Sequence, residues 1–218
     1  MPASPHAPPC PPVRSPVCHC CGQCCQAGGP ALHKADLPLV RAGTLTRAHL
    51  VTLRSGETVR DNVAGALTVL EGEMVRIAWA GESPACIFHD ALSHLCLIHT
   101  DRPCECRALF CEETSAIEAL YRQDRLTRAD ILNTDSGLWE LARFHDRTFP
   151  AGMASDLARR AAAGGQDARE RLAEMVRAEA SFRRTFQEKT GVPEKELDFY
   201  FGRSLTRICS QFGVRLST

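Results

Sequence analysis

The chain has 218 residues, 44% hydrophobic and 24% charged, the ordinary balance of a globular protein long enough to bury a substantial core. Lysine plus arginine and aspartate plus glutamate number 26 each, so no excess of positive charge marks a nucleic-acid surface. No run of about 18 apolar residues predicts a membrane span, and the compositional anomaly is twelve cysteines.

Residues 1–16 hold seven prolines, which lack a backbone donor and fix φ, so a disordered or extended tail is predicted there. The tail has no apolar stretch of the secretory kind, which points to a reducing cytoplasm. Clustered cysteines in that compartment hold metal more often than they pair as disulfides. Cys10 lies in the tail and is read as a bystander. A first ligand loop follows at 18–34, Cys18-x2-Cys21-Gly22-x-Cys24-Cys25, closed by the turn signal Gly28-Gly29-Pro30.

Between 35 and 80 short elements are expected. LVTL at 50–53 and MVRIAW at 74–79 read as strands, the second placing Val75, Ile77 and Trp79 on one face. Ser55-Gly56 and Glu71-Gly72 read as turns. Cys86-Ile87-Phe88 and Cys96-Leu97-Ile98 read as two more short strands around a hairpin-like loop. The second cysteine group is Cys86, Cys96, Cys106 and Cys111, with Arg102-Pro103 ahead of Cys106 and Arg107 behind it.

From Glu113 onward the pattern is helical. Ser115 with Glu118 fits a capping box, Thr127 caps a short helix, and Ser136 precedes Leu138, Leu141, Ala142 and His145 on one face. Gly164-Gly165 predicts a break. Leu172, Met175, Val176, Phe182 and Phe186 share a face that Gly191 and Pro193 end. Leu197, Phe201, Leu205, Ile208 and Phe212 predict one last continuous helix. His145-Asp146 is read as surface or core, not as a base with its orienting partner, because sequence neighbours do not face each other on a helix.

A structural zinc takes four nitrogen or sulfur ligands, so eight clustered cysteines suit two ions or one polynuclear site. Adjacent Cys24 and Cys25 diverge along the backbone. Two metals or a bridging thiolate would use both; otherwise one of them stands behind the ligands. Cys18-x2-Cys21-x2-Cys24 also begins a ferredoxin ligand run, but Gly28 stands where a Cys-Pro is required, against a standard ferredoxin. Thiolates alone suit zinc, iron and iron–sulfur clusters alike.

Gly22 suits a tight metal knuckle, and Arg102 and Arg107 could donate to ligating sulfur. Pro103 is read as fixing the approach of the chain to Cys106. His89 and His99 could replace a thiolate, His33 could close the first loop, and His19 is expected to point outward. Cys20 and Cys104 are candidate spare ligands; Cys209, on the last helix, reads as a small buried hydrophobe. There is no phosphate-binding loop, dinucleotide fingerprint or nucleophile elbow, and no catalytic residue is assigned.

This pattern resembles the YkgJ-type cysteine-cluster family, a zinc- or iron-chelating domain with a CxxCxxCC signature. CHCCGQCC at 18–25 carries the spacing. CIFH opens at Cys86, and CLIHTDRPCECRALFC runs from Cys96 to Cys111, with Ile98, Arg102, Pro103, Cys106 and Arg107 fitting. His99 replaces the family's tyrosine, and Leu109-Phe110 replaces its aromatic-proline pair.

The resemblance covers roughly 18–111 and implies metal binding by Cys18, Cys21, Cys24, Cys25, Cys86, Cys96, Cys106 and Cys111. Its cofactor would be zinc or iron, including an iron–sulfur cluster; it implies no settled activity. The signature also looks like that of flagellin lysine N-methylases, so the alternative is an iron–sulfur-dependent enzyme such as a protein lysine N-methylase-like methyltransferase. No segment for S-adenosylmethionine is recognisable. A third reading is a thiol redox sensor built on the extra cysteines.

The expected fold is α+β, mainly α: a small irregular cysteine-rich metal-binding region with short strands, then a C-terminal helical region. The expected organisation is a tail over 1–16, a metal-binding domain over 17–112 and helices over 113–218 packing on it. A cytoplasmic metalloprotein of interaction, storage or delivery type is expected, with a protein partner but no nucleic acid and no membrane.

Overall fold

The computed structural model describes residues 21–61, 63, 65–81 and 83–216. The expectations for the proline-rich tail, Cys10, Cys18, His19 and Cys20 therefore lie outside the described residues. The fold is α+β and mainly α. Two short helices open it, α1 (Gln23–Gln26) and α2 (Leu37–Arg41). The strands are β1 (Leu50–Leu53), β2 (Thr58–Asp61), β3 (Ala66–Val69) and β4 (Met74–Ile77). Helices follow: α3 (Cys104–Ala108), α4 (Ser115–Leu120), α5 (Arg128–Ile131), α6 (Gly137–Thr148), α7 (Ala151–Ala162), α8 (Gln166–Thr190), α9 (Leu197–Phe201) and α10 (Leu205–Ser210). The chain forms two compact units, both discontinuous in sequence. One joins the residues up to Leu50 with Met74–Ile131; the other joins Val51–Glu73 with Leu132 onward.

The first unit is held by β4. Val75 donates to the Leu126 carbonyl at 2.8 Å, Leu126 donates to Leu32 at 2.8 Å, and Leu32 donates back to Val75 at 2.9 Å. This ring of backbone bonds buries Leu32, Val75 and Leu126 completely, so their amides have protein partners where water is excluded. Val75 and Ile77 are both buried, as their alternation predicts.

Neither Cys86–Phe88 nor Cys96–Ile98 becomes a strand. Each meets its neighbour through one isolated bridge, Trp79 with Cys86 and His89 with Cys96. The loop between them is hairpin-like, with Asp90 donating to Leu95 and Leu97 to Phe88. The predicted capping box at Ser115 is also absent: Thr114 is the N-cap of α4, and its hydroxyl donates to Glu118 at 2.6 Å. Thr127 bonds Asp130 through both its amide and hydroxyl, fixing the start of α5.

The second unit contains an antiparallel hairpin, β2 on β3, in register from Thr58↔Val69 to Asp61↔Ala66. Its hydrophobic core lies where α7, α8 and α10 meet. Ala154, Leu157, Ala158 and Ala161 pack with Ala168, Leu172, Val176, Leu205 and Ile208. The alanines let the helices approach closely. Gly164, at φ 93°, breaks α7 from α8 as predicted, and Gly191, at φ 68°, ends α8. The predicted continuous last helix is instead two. Gly202 has φ 72° and ψ −172°, which no helix contains, and Ser204 restarts the chain by accepting from the Arg207 amide at 3.2 Å.

A charged network lies inside this unit. His145 is fully buried on α6, ringed by Phe149, Phe182 and Phe201. Its Nε2 faces Glu179 Oε1 at 3.2 Å, and its Nδ1 faces Arg54 Nη1 at 3.3 Å. A carboxylate accepts only, so Nε2 carries hydrogen and Nδ1 accepts from the guanidinium. Arg183 also donates to Glu179 and reaches the Gly202 carbonyl at 2.7 Å.

Candidate metal centre

Gly22 sits at φ 74° before α1, in the left-handed region that glycine enters without steric cost. The one-turn helix that follows carries Cys24 and Cys25, with their sulfurs 4.0 Å apart. A Cβ at position 22 would lie 2.7 Å from His89 Nε2 and 3.2 Å from the His94 carbonyl. The loop bearing the second cysteine group therefore rests directly on the first knuckle. A backbone bond joins the groups as well: the Cys86 amide donates to the Cys25 carbonyl at 2.7 Å.

Buried side chains complete the framework around α3, which carries Cys106. Asp36 accepts from the His33 amide at 2.9 Å and from the Cys104 amide at 2.8 Å. Glu105 accepts from the Ala31 amide at 2.8 Å and faces His33 Nε2 at 3.2 Å. The other ring nitrogen of His33 donates to the Gln123 carbonyl at 2.7 Å. Burial opposes a charged His33, but the hydrogen bond and charge of Glu105 outweigh it and raise its pKa. His33 thus does close the first loop. Asp36 and Glu105 were not legible as anchors, because their partners lie 68 and 74 residues away.

The thiols of Cys25, Cys86 and Cys106 each feel neighbouring predicted ligands. Burial pushes the Cys106 thiol well above its ordinary value, and neighbouring Cys86, Cys96 and Cys24 push it further. Cys86 is raised mainly by burial, with Cys96 and Cys24 adding to it. Cys24 and Cys25 share a hydrogen bond that holds Cys24 down to about 6 and raises Cys25; the charges of Cys96 and Cys106 raise Cys25 further. Like charges cannot gather in one place without a counter-ion.

Cys24, Cys25 and Cys96 also line a small pocket of ≈ 70 Å3, shared with exposed Cys21 and Cys111 and with His94 and His99. Among the described residues no three histidine, cysteine, aspartate or glutamate side chains stand close enough to share one ion. Cys24 and Cys25 reach the pocket from α1, and Cys21, His94, Cys96, His99 and Cys111 from the loops. Their chemistry fits a thiophilic metal such as zinc or iron, for which soft thiolates are the strong ligands.

Other expectations resolve differently. Cys209 is fully buried in the core of the second unit, where burial pushes its thiol up to about 11. Cys104 is disulfide-bonded, whereas the seven predicted ligands among the described residues are free thiols. Arg107 donates to the Cys104 sulfur at 3.5 Å and Arg102 to the His99 carbonyl at 2.8 Å, so neither is seen on a predicted ligand sulfur. Pro103 is the N-cap of α3 and leads the chain into Cys106. His89 points its buried, unpartnered Nε2 at the glycine of the knuckle. Neither residue type nor spacing singled out His94, which the loop geometry brings to the pocket.

Thiols of two cysteine groups distant in sequence line one cleft, Cys21, Cys24 and Cys25 from the first and Cys96 and Cys111 from the second, and define a cysteine-cluster domain. The family model CxxCxxCC, putative zinc- or iron-chelating domain, matches residues 17–125, and the chain belongs to that family. No curated protein and no solved structure matches the chain significantly.

Proposed function

We propose that this chain is a cytoplasmic metalloprotein that holds zinc or iron in exchangeable form for storage or delivery. Cys24, Cys25, Cys86, Cys96 and Cys106 form the principal binding set, and Cys18, Cys21 and Cys111 belong to the same cluster. The observation that carries this is the cleft lined by thiols of both cysteine groups, Cys21, Cys24 and Cys25 with Cys96 and Cys111, beside the bond from the Cys86 amide to the Cys25 carbonyl. The bound metal would supply the positive charge that lets buried thiols ionise together. The pocket's exposed side, at Cys21 and Cys111, gives a partner access for transfer.

The test is elemental analysis and visible absorption of anaerobically purified protein. About one to two zinc or iron ions per chain are expected, at four ligands per tetrahedral ion. Cys96→Ser and Cys106→Ser should each lower that content, while Cys209→Ser, in the helical core, should not. Metal-free, folded protein with every free thiol titratable would reject the proposal. A brown chromophore that bleaches on oxidation would move the assignment to an iron–sulfur cluster.

A further inference from the structure

The hairpin of the second unit leaves one edge open: among the described residues no third strand pairs with β3. Leu70, just past β3, donates its amide to the Glu57 carbonyl at 2.9 Å and accepts from the Gly56 amide at 2.9 Å, so both its backbone groups face the β2 side. Backbone groups alternate sides along an antiparallel strand. Thr68 therefore faces β2 as well, while the amides and carbonyls of Leu67 and Val69 face away from it. Their side chains are exposed too, Leu67 at 58% and Val69 at 57%. Nothing lies within 4 Å of where a Cβ would stand on Gly65 or Gly72, which flank the strand. We propose that β3 is a self-association edge, on which β3 of a second copy of this chain pairs antiparallel and joins two hairpins into a four-stranded sheet.

Natural sheets guard an open edge with lysine, proline or a bulge. The strand Ala66-Leu67-Thr68-Val69 carries no charge and no proline, and its pairing with β2 runs from Asp61↔Ala66 to Thr58↔Val69 without a bulge. The edge is thus left able to accept a strand by main-chain bonding.

The pattern of the edge selects a second copy as that strand. A two-fold axis through Thr68 sets Leu67 of each copy opposite Val69 of the other, and every outward amide then meets an outward carbonyl. The side chains that face across the axis are both apolar. Charge agrees with this register. Arg60, opposite Leu67 on β2, and Glu71, beyond the end of β3, are both exposed. The axis carries Glu71 of each copy toward the end of the sheet where the other bears Arg60, so opposite charges approach. Four residues per edge bury less than the roughly 800 Å2 per partner of a standard stable interface, so the dimer is weak and forms as concentration rises.

Sedimentation velocity of the full chain tests this, under reducing conditions that exclude cysteine cross-links. A monomer–dimer equilibrium should appear between about 10 and 500 μM, the range of a small interface. Leu67→Lys with Val69→Lys sets lysines opposite each other across the axis, at positions exposed in the single chain, and should shift the equilibrium about tenfold toward monomer. Circular dichroism and thermal melting of the variant provide the folding control. Residue-resolved amide exchange of the unaltered chain gives a second readout that needs no variant. Protection at Leu67 and Val69 should rise with concentration, while Thr68, bonded within its own hairpin, stays unchanged. A dimer retained by the folded double-lysine variant, or exchange at Leu67 and Val69 that is equal across the range, overturns the pairing through β3. Sedimentation as a monomer throughout overturns it as well and leaves the edge to a strand of another protein.

Discussion

Glu179 shows how a buried charge is stabilised in the second unit. Burial alone would push its carboxyl upward, but hydrogen bonds from His145 and Arg183 and the charge of Arg183 hold it at about 2, against 4.5 for the free group. A carboxylate whose folded pKa is depressed adds stability above its unfolded pKa and loses it as pH falls through the folded value. The second unit should therefore lose stability from about pH 5 downward to about pH 2, by on the order of 3 kcal/mol from this group. Urea unfolding followed across that range should show the midpoint falling, and Glu179→Gln should flatten the slope. An unchanged slope in the variant would remove Glu179 from the account. None of this network was legible in sequence. His145 has Asp146 beside it, yet the carboxylate on its Nε2 belongs to a residue 34 positions away on another helix. A local pattern signals the side chain and not its distant partner.

At the scale of elements, starts and stops were readable where a local rule governs them, and misread where tertiary contact decides. Ser136 caps α6 by accepting from the Trp139 amide, Gly164 separates α7 from α8, and Gly191 ends α8, each by chemistry confined to a few residues. The apolar spacing from Leu197 to Phe212 suits one helix, but Gly202 breaks it because Arg54 occupies the space above it. A Cβ there would lie 3.0 Å from the Arg54 side chain, on a backbone that only glycine adopts freely. Gly202→Ala, normally stabilising at a helical site, should instead cost on the order of 3 kcal/mol, as backbone strain and overpacking add. Thermal melting should show the loss, with Gly191→Ala as a milder comparison because nothing lies within 4 Å of its Cβ position. Equal melting of the two variants would show that Arg54 yields easily. The hairpin β2–β3 went unread because its strands have only four residues each and β3 is largely exposed, so neither alternation nor length rises above its surroundings. The cysteine site was legible in kind, since thiol spacing survives in sequence; its framework of His33, Asp36 and Glu105 was not, since those contacts span the whole first unit.

For the whole molecule, metal dependence should be local. The predicted ligands that the structure describes, from Cys21 to Cys111, all belong to the first unit, while the second contributes only the core thiol Cys209. Among the described residues the first unit has short helices, a single strand of its own in β4, and long loops tied by isolated backbone and side-chain bonds. Structural zinc in small domains supplies on the order of 10 kcal/mol of folding free energy. The second unit owes its stability to the apolar contact of α7, α8 and α10 and to its buried ion pairs, none of which involves a cysteine cluster. Removing metal with a strong chelator under reducing conditions should therefore speed amide exchange in 21–36 and 86–111. Exchange in α7 and α8 should stay nearly unchanged. Hydrogen exchange read by mass spectrometry, before and after verified metal loss, separates the two segments directly. Equal protection in 21–36 and 86–111 with and without metal would show that these loops are held by the His33–Glu105 and Asp36 contacts alone, and would leave the ion a passenger rather than part of the fold.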